Sequence, residues 1–314
     1  MTAGQRLTRL FAGNWPVLVF VVLLAVLILL KGRFNGFDAR SLSVNALPLV
    51  LIALAQFLII LTRGIDLSLG PVASVSGALM SLYSTDNPVL GVAIPLSAGL
   101  AAGLLNGGLI VGLRLPPIIV TLATMSIWQG VALVVLPNPG GAVPPVFQDI
   151  FMGSFSSPVI GLVTIAVWAG LLTWLLSSRF GLSLRAIGSD EAAAEMSGVR
   201  VKRTKLMAYA LGGLLAAISG MYMAVSMSSG SPVVGDGYIL TSIAAVVIGG
   251  IPLSGGRGSP IAVVMGALIL TITASLLFFA QVSSFYQSLI NGVILLLVVG
   301  SPGTRDYIAG LVRR

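Results

Sequence analysis

The hydrophobic residues of this chain form long stretches, separated by short polar or glycine-rich segments, that recur from one end to the other. Most approach or exceed the ~20 residues that an α-helix needs to cross a ~30 Å hydrocarbon layer. We therefore predict an all-α integral membrane protein with about ten transmembrane helices, forming a single domain over residues 1–314. The predicted helices span residues 15–30, 44–62, 67–84, 88–113, 117–136, 158–177, 206–228, 238–250, 260–280 and 285–300.

Two segments break this pattern because glycine and proline are dense in them. They are Gly64–Pro71 and Gly249–Pro260. Irregular backbone is tolerated at membrane depth only where protein or a water-filled cavity satisfies its polar groups. The segments are thus predicted to be broken or re-entrant parts packed inside the bundle, with short interfacial turns as the alternative.

Charge supports the membrane assignment and orients the chain. Only 8% of the residues are charged, whereas about a quarter are charged in a typical soluble domain. Of the 17 lysines and arginines, all but Lys31, Arg33 and Arg40 fall on one side of the predicted helices. By the positive-inside rule that side is cytoplasmic, so both termini are expected there. An even helix count then gives two inverted five-helix halves, although internal sequence similarity between them is weak.

The net charge of +8 does not indicate a nucleic-acid partner, because the bases are dispersed and lack the interleaved aromatics of a stacking surface. The chain has no cysteine and no histidine, which removes thiol and imidazole chemistry and the usual zinc and haem ligands. No metal or cofactor of its own is expected, and the partner that it does have is the lipid bilayer.

The one sizeable cytoplasmic loop, residues 178–205, contains a short helix signal. Ser189 is a candidate N-cap, Asp190 and Glu191 suit the positive end of the helix dipole, and Gly198 suits the left-handed residue after the helix. Basic residues follow from Arg200 onward. Local chemistry leaves two interpretations open, a docking element for a soluble partner and a solvated loop that touches anionic lipid.

The chain does not contain an evident energy source. None of Lys31, Lys202 and Lys205 follows a glycine, so the Gly-Lys of a phosphate-binding loop is missing. The predicted helix middles hold no charged residue of the kind that ion-coupled carriers use. A neutral polar solute could pass along their polar groups, although for each group taken alone an interhelical hydrogen bond is favoured over a contact with the solute. The candidate path or gating residues are Gln56, Asp66, Ser68, Asn106, Thr121, Gln129 and Asn291.

Asp66 is also expected to brace the broken third helix, with a plain topology-setting charge as the alternative. Rival functions are an ion-coupled secondary carrier, a membrane scaffold and an intramembrane enzyme. For an enzyme, Asp66 and Asp236 would be the only conceivable acid pair, and nothing in the sequence brings them together.

Four segments in the same order resemble the inner-membrane permeases of ribose-type ABC sugar importers. They are Gly64–Gly70, Leu113–Thr124, Ala186–Gly198 and the glycine-rich region from Ser242 to Ser259. The resemblance covers roughly residues 41–302. It implies a non-catalytic subunit of the bacterial inner membrane that works with a second permease, identical or related, a periplasmic solute-binding protein and a cytoplasmic ATPase that binds the ATP.

The resemblance also implies that loop 178–205 couples the permease to the ATPase. The residues that it assigns to coupling are Gly188, Ser189, Asp190, Glu191, Ala192, Glu195, Gly198 and Arg200. Ser189-Asp190 stands where that family more often has Gly-Asn, and Glu195 where it often has a base, which leaves the identity of the ATPase open.

The expected substrate is a monosaccharide or a related small polar solute. The alternatives are a signalling sugar derivative, a nucleoside or a branched-chain amino acid, and less favoured is ion-coupled transport.

Overall fold

A computed structural model describes residues 3–152 and 159–283, together with residues 286, 289, 290, 292, 293 and 296, and it describes side chains from Trp15 onward. The described residues form helices joined by turns, with no β-strand among them. The twelve helices in these ranges are α1 Ala3–Lys31, α2 Gly36–Ile60, α3 Leu69–Tyr83, α4 Pro88–Gly112, α5 Pro117–Val135, α6 Pro145–Met152, α7 Ile160–Ser177, α8 Arg179–Ser189, α9 Glu191–Met196, α10 Val201–Met227, α11 Tyr238–Ile248 and α12 Pro260–Phe279.

Six of these helices are long and apolar enough to cross a membrane, namely α2, α4, α5, α7, α10 and α12. Three shorter apolar helices correspond to the first, third and eighth predicted ones: residues Trp15–Lys31 of α1, then α3 and α11. The protein is thus a mainly helical, multi-pass membrane protein. The tenth predicted helix, residues 285–300, lies mostly outside the described residues, so the count of ten stays a prediction.

Helix α2 begins earlier than the predicted residue 44 because a capping box starts it. The Asn35 side chain accepts a hydrogen bond from the Asp38 N–H at 3.1 Å, and the Asp38 carboxylate accepts one from the Asn35 N–H at 3.0 Å. This reciprocal pair satisfies two backbone donors at the N-terminal end of the helix. The helix therefore includes a polar first turn that hydrophobicity alone does not reveal.

The centre of the molecule is α2, whose residues from Ala46 to Ile60 are all buried. Around it pack α7, α10, α11 and α12. In contrast to the buried α2, helices α4, α5 and α7 expose leucine, isoleucine and valine side chains along much of their length. Such surfaces are compatible with lipid, which imposes no penalty on exposed apolar side chains.

Small residues bring α3, α4 and α10 into backbone contact. A Cβ added to Gly220 of α10 would overlap the carbonyl oxygen of Ala73 in α3, and a Cβ added to Gly213 would overlap the carbonyl oxygen of Gly99 in α4. This is the close approach that glycine permits between membrane helices. The three helices consequently form one tightly packed layer.

Both predicted breaks are present. Between α2 and α3, Arg63 adopts a left-handed conformation and Asp66 is buried. Between α11 and α12, Gly250, Gly255, Gly256 and Gly258 all have positive φ. The Gly256 N–H donates to the Leu61 carbonyl oxygen at 3.1 Å, so the two breaks lie side by side at the end of the bundle that also holds α8 and α9. We call this the coupling end.

Candidate functional site

The first polar site is a buried cluster formed where the α2–α3 break meets α4. The Asp66 carboxylate accepts hydrogen bonds from the Ser68 N–H at 2.8 Å and the Ser68 hydroxyl at 2.7 Å. Its second oxygen accepts from the Asn106 amide at 3.1 Å, and that amide also donates to the Ser68 hydroxyl oxygen at 2.8 Å. Asp66 therefore secures the N-terminal end of α3 and ties it to the C-terminal part of α4.

Two further helices join the same cluster. With its amide turned so that both atoms pair, Gln56 of α2 donates to the Asp66 carbonyl oxygen at 2.9 Å and accepts from the Asp66 N–H at 3.2 Å. Thr121 of α5 donates its hydroxyl to the Ile65 carbonyl oxygen at 3.2 Å. Residues far apart in sequence thus converge in what we call the buried polar cluster: Gln56, Asp66, Ser68, Asn106 and Thr121.

The five side chains are at most 2% exposed, and most of their hydrogen-bonding capacity is used within the cluster. The exception is the Asn106 carbonyl oxygen, a buried atom without a hydrogen-bond partner among the described residues. Buried polar groups that satisfy one another typically hold helices together. This geometry favours bracing or gating over the lining of an open passage.

The other two candidate path residues do not join the cluster. The Gln129 amide lies 3.4 Å from the Asp236 carboxylate, near the end of the bundle opposite the coupling end. Asn291 lies outside the described residues. The sequence therefore grouped seven candidates of which the structure brings five together.

The second site is residues 178–205, the segment predicted to contact an ATPase, which we call the coupling segment. It contains α8, α9 and the start of α10. Prediction of Ser189 as N-cap is wrong, because Ser189 is the last residue of α8 and Asp190 caps α9. The Asp190 carboxylate accepts from the Ala193 N–H at 2.9 Å. Gly198 has φ +83°, as expected of the left-handed residue after a helix.

Helix α9 carries its charges outward. Asp190, Glu191 and Glu195 are exposed, as is Arg200 after the helix. Glu191 pairs with Lys205 at 2.7 Å, and a small core of Ile187, Ala194 and Val201 holds the segment from beneath. The exposed tip also includes Ala192 and Met196, and Met196 is 84% exposed. A methionine so far from any core suits an adaptable protein contact.

Arg63 fixes the coupling segment to both helix breaks. Its Nε donates to the Gly188 carbonyl oxygen at 2.7 Å and to the Ser254 carbonyl oxygen at 3.1 Å, and its guanidinium also donates to the Ser189 carbonyl oxygen. Gly188 packs so closely that an added Cβ would overlap the Leu61 carbonyl oxygen and the Gly256 nitrogen. A planar guanidinium with several donors is suited to this multiple contact.

The sequence pattern did not single out Arg63 or Met196. Arg63 is one of many bases near predicted helix ends, and its partners are backbone carbonyls more than 120 residues away along the chain. No side-chain pattern could have identified them. The signal for Met196 is weak too: one apolar residue at the end of a charged six-residue helix.

Comparison with known proteins matches most of this chain. A family with the description "Branched-chain amino acid transport system / permease component" matches residues 39–299. The ribose import permease protein of Bacillus subtilis (strain 168) is 37% identical over 83% of this chain and 81% of its own length. That of Escherichia coli (strain K12) is 35% identical over 93% and 95%.

An autoinducer 2 import system permease protein of Escherichia coli O9:H4 (strain HS) is 33% identical over 91% of this chain and 85% of its own length. No solved structure matches the chain. The chain therefore shares nearly its whole length with import permeases.

Proposed function

Because this chain belongs to the branched-chain amino acid transport system permease family, we propose that it is the permease subunit of an ABC importer that passes a monosaccharide or a close analogue. It is a non-catalytic membrane subunit, as its relatives are, and ATP hydrolysis belongs to a separate ATPase. The proposal extends to ten helices in two inverted halves, with both termini in the cytoplasm.

The observation that carries the coupling role is the way α9 is presented and held. It is capped by Asp190 and exposes Ala192, Glu195 and Met196. It directly follows the end of α8, which Arg63 fixes to both helix breaks. Closure of an ATPase against α9 would pull on α2 and on the α11–α12 junction together. That is a route for rigid-body transmission into the membrane.

The substrate proposal rests on two supports. Two relatives with names that specify ribose import are 35–37% identical, and α4, α5, α7 and α12 contain no charged residue that would oppose or demand a charged solute. The autoinducer 2 permease at 33% identity makes that signalling molecule the second candidate. A periplasmic binding protein and a second permease subunit complete the proposed importer.

The buried polar cluster has a bracing or gating role in this proposal. Its members connect α2, α3, α4 and α5 near the coupling end. Opening a passage there would require their mutual hydrogen bonds to separate, which ties gating to movement at the α2–α3 break.

The test is transport by the reconstituted importer. We expect proteoliposomes that contain this permease, its ATPase and its binding protein to accumulate labelled ribose only when ATP reaches the ATPase. A proton ionophore should leave the rate unchanged. An ATPase without its phosphate-binding lysine is the control and should give no uptake.

Two results would count against the proposal. Uptake that needs no ATP and collapses with the proton gradient would indicate a secondary carrier. Accumulation of leucine in place of ribose would support the assignment as an importer but contradict the assignment of a sugar as its substrate.

A further inference from the structure

A cavity of about 530 Å³ opens between α2, α11 and α12. It involves the N-terminal parts of α2 and α11 and the C-terminal part of α12. The opposite ends of these three helices adjoin the two breaks at the coupling end. The cavity therefore lies in the far half of the bundle, and we call it the outer cavity.

The walls of the outer cavity combine polar and apolar side chains, and none of these side chains is charged. Hydroxyl and amide groups come from all three helices, and Phe278 and Phe279 add aromatic surface. No Asp, Glu, Lys or Arg lines it. The polar side chains are those of Ser41, Asn45, Tyr238, Thr241, Thr271 and Ser275.

Most of these hydroxyls are oriented to accept hydrogen bonds. Thr241, Thr271 and Ser275 each donate to the carbonyl oxygen four residues earlier in their own helix, at 2.6, 2.9 and 3.0 Å. Their oxygen lone pairs remain free for a solute. The half-buried Tyr238 forms no side-chain hydrogen bond among the described residues, so its hydroxyl can donate as well as accept.

The far side of the cavity connects with a charged rim. A smaller cavity of about 70 Å³ shares Ser41, Asn45, Ser275 and Phe279 with it. Lys31 and Asp38 line this second cavity as an ion pair, and the Lys31 ammonium lies 5.1 Å from the centre of the Phe279 ring. Because charged groups are costly within the hydrocarbon layer, we expect this rim to lie at its outer edge.

We propose that the outer cavity receives the transported solute from the far side, and that its ligand is a neutral polyhydroxylated molecule of monosaccharide size. Hydroxyl acceptors match sugar hydroxyl donors, and aromatic rings match the apolar face of a sugar ring. A lipid chain would leave the Tyr238 hydroxyl, which lines the cavity, without a hydrogen-bond partner. The ligand class rests on the proposed function above, whereas the cavity does not.

The chain has no cysteine, so a single introduced thiol reports one position. Ser275→Cys places it in the outer cavity. Thr273→Cys is the matched control, since Thr273 lies on the same helix with an equivalent hydroxyl bond to Ile269 at 2.8 Å but does not line the cavity. Both variants are made in the complete importer in right-side-out vesicles.

A membrane-impermeant charged thiol reagent is added from outside. We expect Ser275→Cys to react at least roughly tenfold faster than Thr273→Cys, because only the thiolate reacts and it forms where water reaches. Reaction should block ribose uptake, and ribose-loaded binding protein during turnover should slow the reaction.

The Tyr238→Phe variant tests the ligand contact. Removal of the hydroxyl should raise the KM for ribose uptake by roughly tenfold, which corresponds to the loss of one hydrogen bond of about 1.4 kcal/mol. Tyr83→Phe, at the exposed end of α3 and outside the cavity, should leave the KM unchanged.

The proposal is overturned if Ser275→Cys is unreactive in an importer that still takes up ribose, because the cavity is then filled by lipid or by a second copy. It is also overturned if the modified thiol leaves uptake unaffected. If the parent importer moves no ribose while Ser275→Cys still reacts, the sugar assignment fails and the water-accessible cavity stands.

Discussion

Asp66 holds three side-chain hydrogen bonds in a place that water does not reach. Two come from Ser68 and one from Asn106, and the Asp66 residue as a whole is only 2% exposed. Because a buried acceptor that loses its donors, or donors that lose their acceptor, carry the full desolvation cost, this one residue connects the stability of α3 to that of α4.

We predict that Asp66→Asn lowers the stability of the solubilised protein by roughly 1–3 kcal/mol. The new amide keeps an oxygen for Ser68 but sets an NH₂ group against the NH₂ group of Asn106. Asn106 can turn its amide around, at the cost of its 2.8 Å bond to Ser68. The midpoint of thermal unfolding measures the loss, and ribose uptake should fall with it.

Asp236→Asn is the matched control, since its carboxylate is half-buried and makes one long 3.4 Å side-chain contact, with Gln129, among the described residues. Its unfolding midpoint should stay within error of the parent. Equal midpoints for the two variants would remove the bracing role of Asp66.

For individual residues, the sequence shows which side chains are unusual but not which groups they contact. Glutamine, asparagine and threonine stand out within apolar stretches, so Gln56, Asn106 and Thr121 are visible as intramembrane polar groups. Their convergence on one carboxylate depends on helix packing, which no local spacing specifies. Arg63 illustrates the same limit, because a guanidinium bonded to backbone carbonyls has no partner residue type to search for.

The coupling segment shows how two elements share one turn. Ser189 and Asp190 are both good N-cap residues, and composition does not choose between them. The choice is made by α8, which extends through Ser189 because Ile187 packs into the core beneath. Helix α9 therefore starts one residue later than predicted, with Asp190 as its cap.

Helix α6 lies between the fifth and sixth predicted helices, where the sequence predicts none. Residues 137–157 are rich in proline and glycine, which indicates a loop, and eight residues make a helix too short to be stable alone. In the structure Phe147 and Met152 are buried and the ring of Phe151 lies edge-on to Tyr222 at 5.0 Å. Tertiary packing stabilises this helix, and packing partners are absent from a single-sequence pattern.

We predict that Gly188→Ala separates ATP hydrolysis from transport. A Cβ there would overlap backbone atoms of Leu61 and Gly256, so α8 must move away from both breaks and from Arg63. Ribose uptake should fall at least about tenfold, since a displacement of about 1 Å can cost that much in a coupled geometry. The amount of protein in the membrane should stay the same.

Gly108→Ala is the control for this variant, because no atom lies within 4 Å of an added Cβ at that position of α4. Alanine is favoured over glycine within a helix by about 0.5–1 kcal/mol, so uptake should be unchanged. Normal coupling in Gly188→Ala would show that the contact between α8 and the breaks is not the transmission route.

At the scale of the whole molecule, the structure shows which segments lie at the same end of the bundle and which lie at opposite ends. The coupling segment and both breaks lie at one end, whereas Asp86, in the turn between α3 and α4, lies at the other. The positive-inside bias assigns the first end to the cytoplasm. Together, the two observations predict from which side of the membrane each exposed position can be reached by a water-soluble reagent.

We predict that Asp86→Cys reacts with an impermeant thiol reagent only in right-side-out vesicles, and that Ser197→Cys reacts only in inside-out vesicles. Both positions are exposed, and the parent chain without cysteine is the blank. Reaction of both variants from the same side would contradict the topology, and reversal of the two sides would contradict the orientation alone.

Backbone contact among α3, α4 and α10 has a mechanical consequence. Helices in contact at Gly213, Gly220 and their partner carbonyls cannot slide past one another, because any axial shift drives a side chain into a neighbouring main chain. We therefore expect the three helices to move as one rigid body. Any bending should occur in the two non-helical segments, residues 61–68 and 249–259, which act as hinges. Arg63 belongs to one hinge and donates a hydrogen bond to Ser254 in the other. A large movement of either hinge would therefore break this hydrogen bond unless the other hinge moved with it. The motions of the two hinges are thus expected to be coupled.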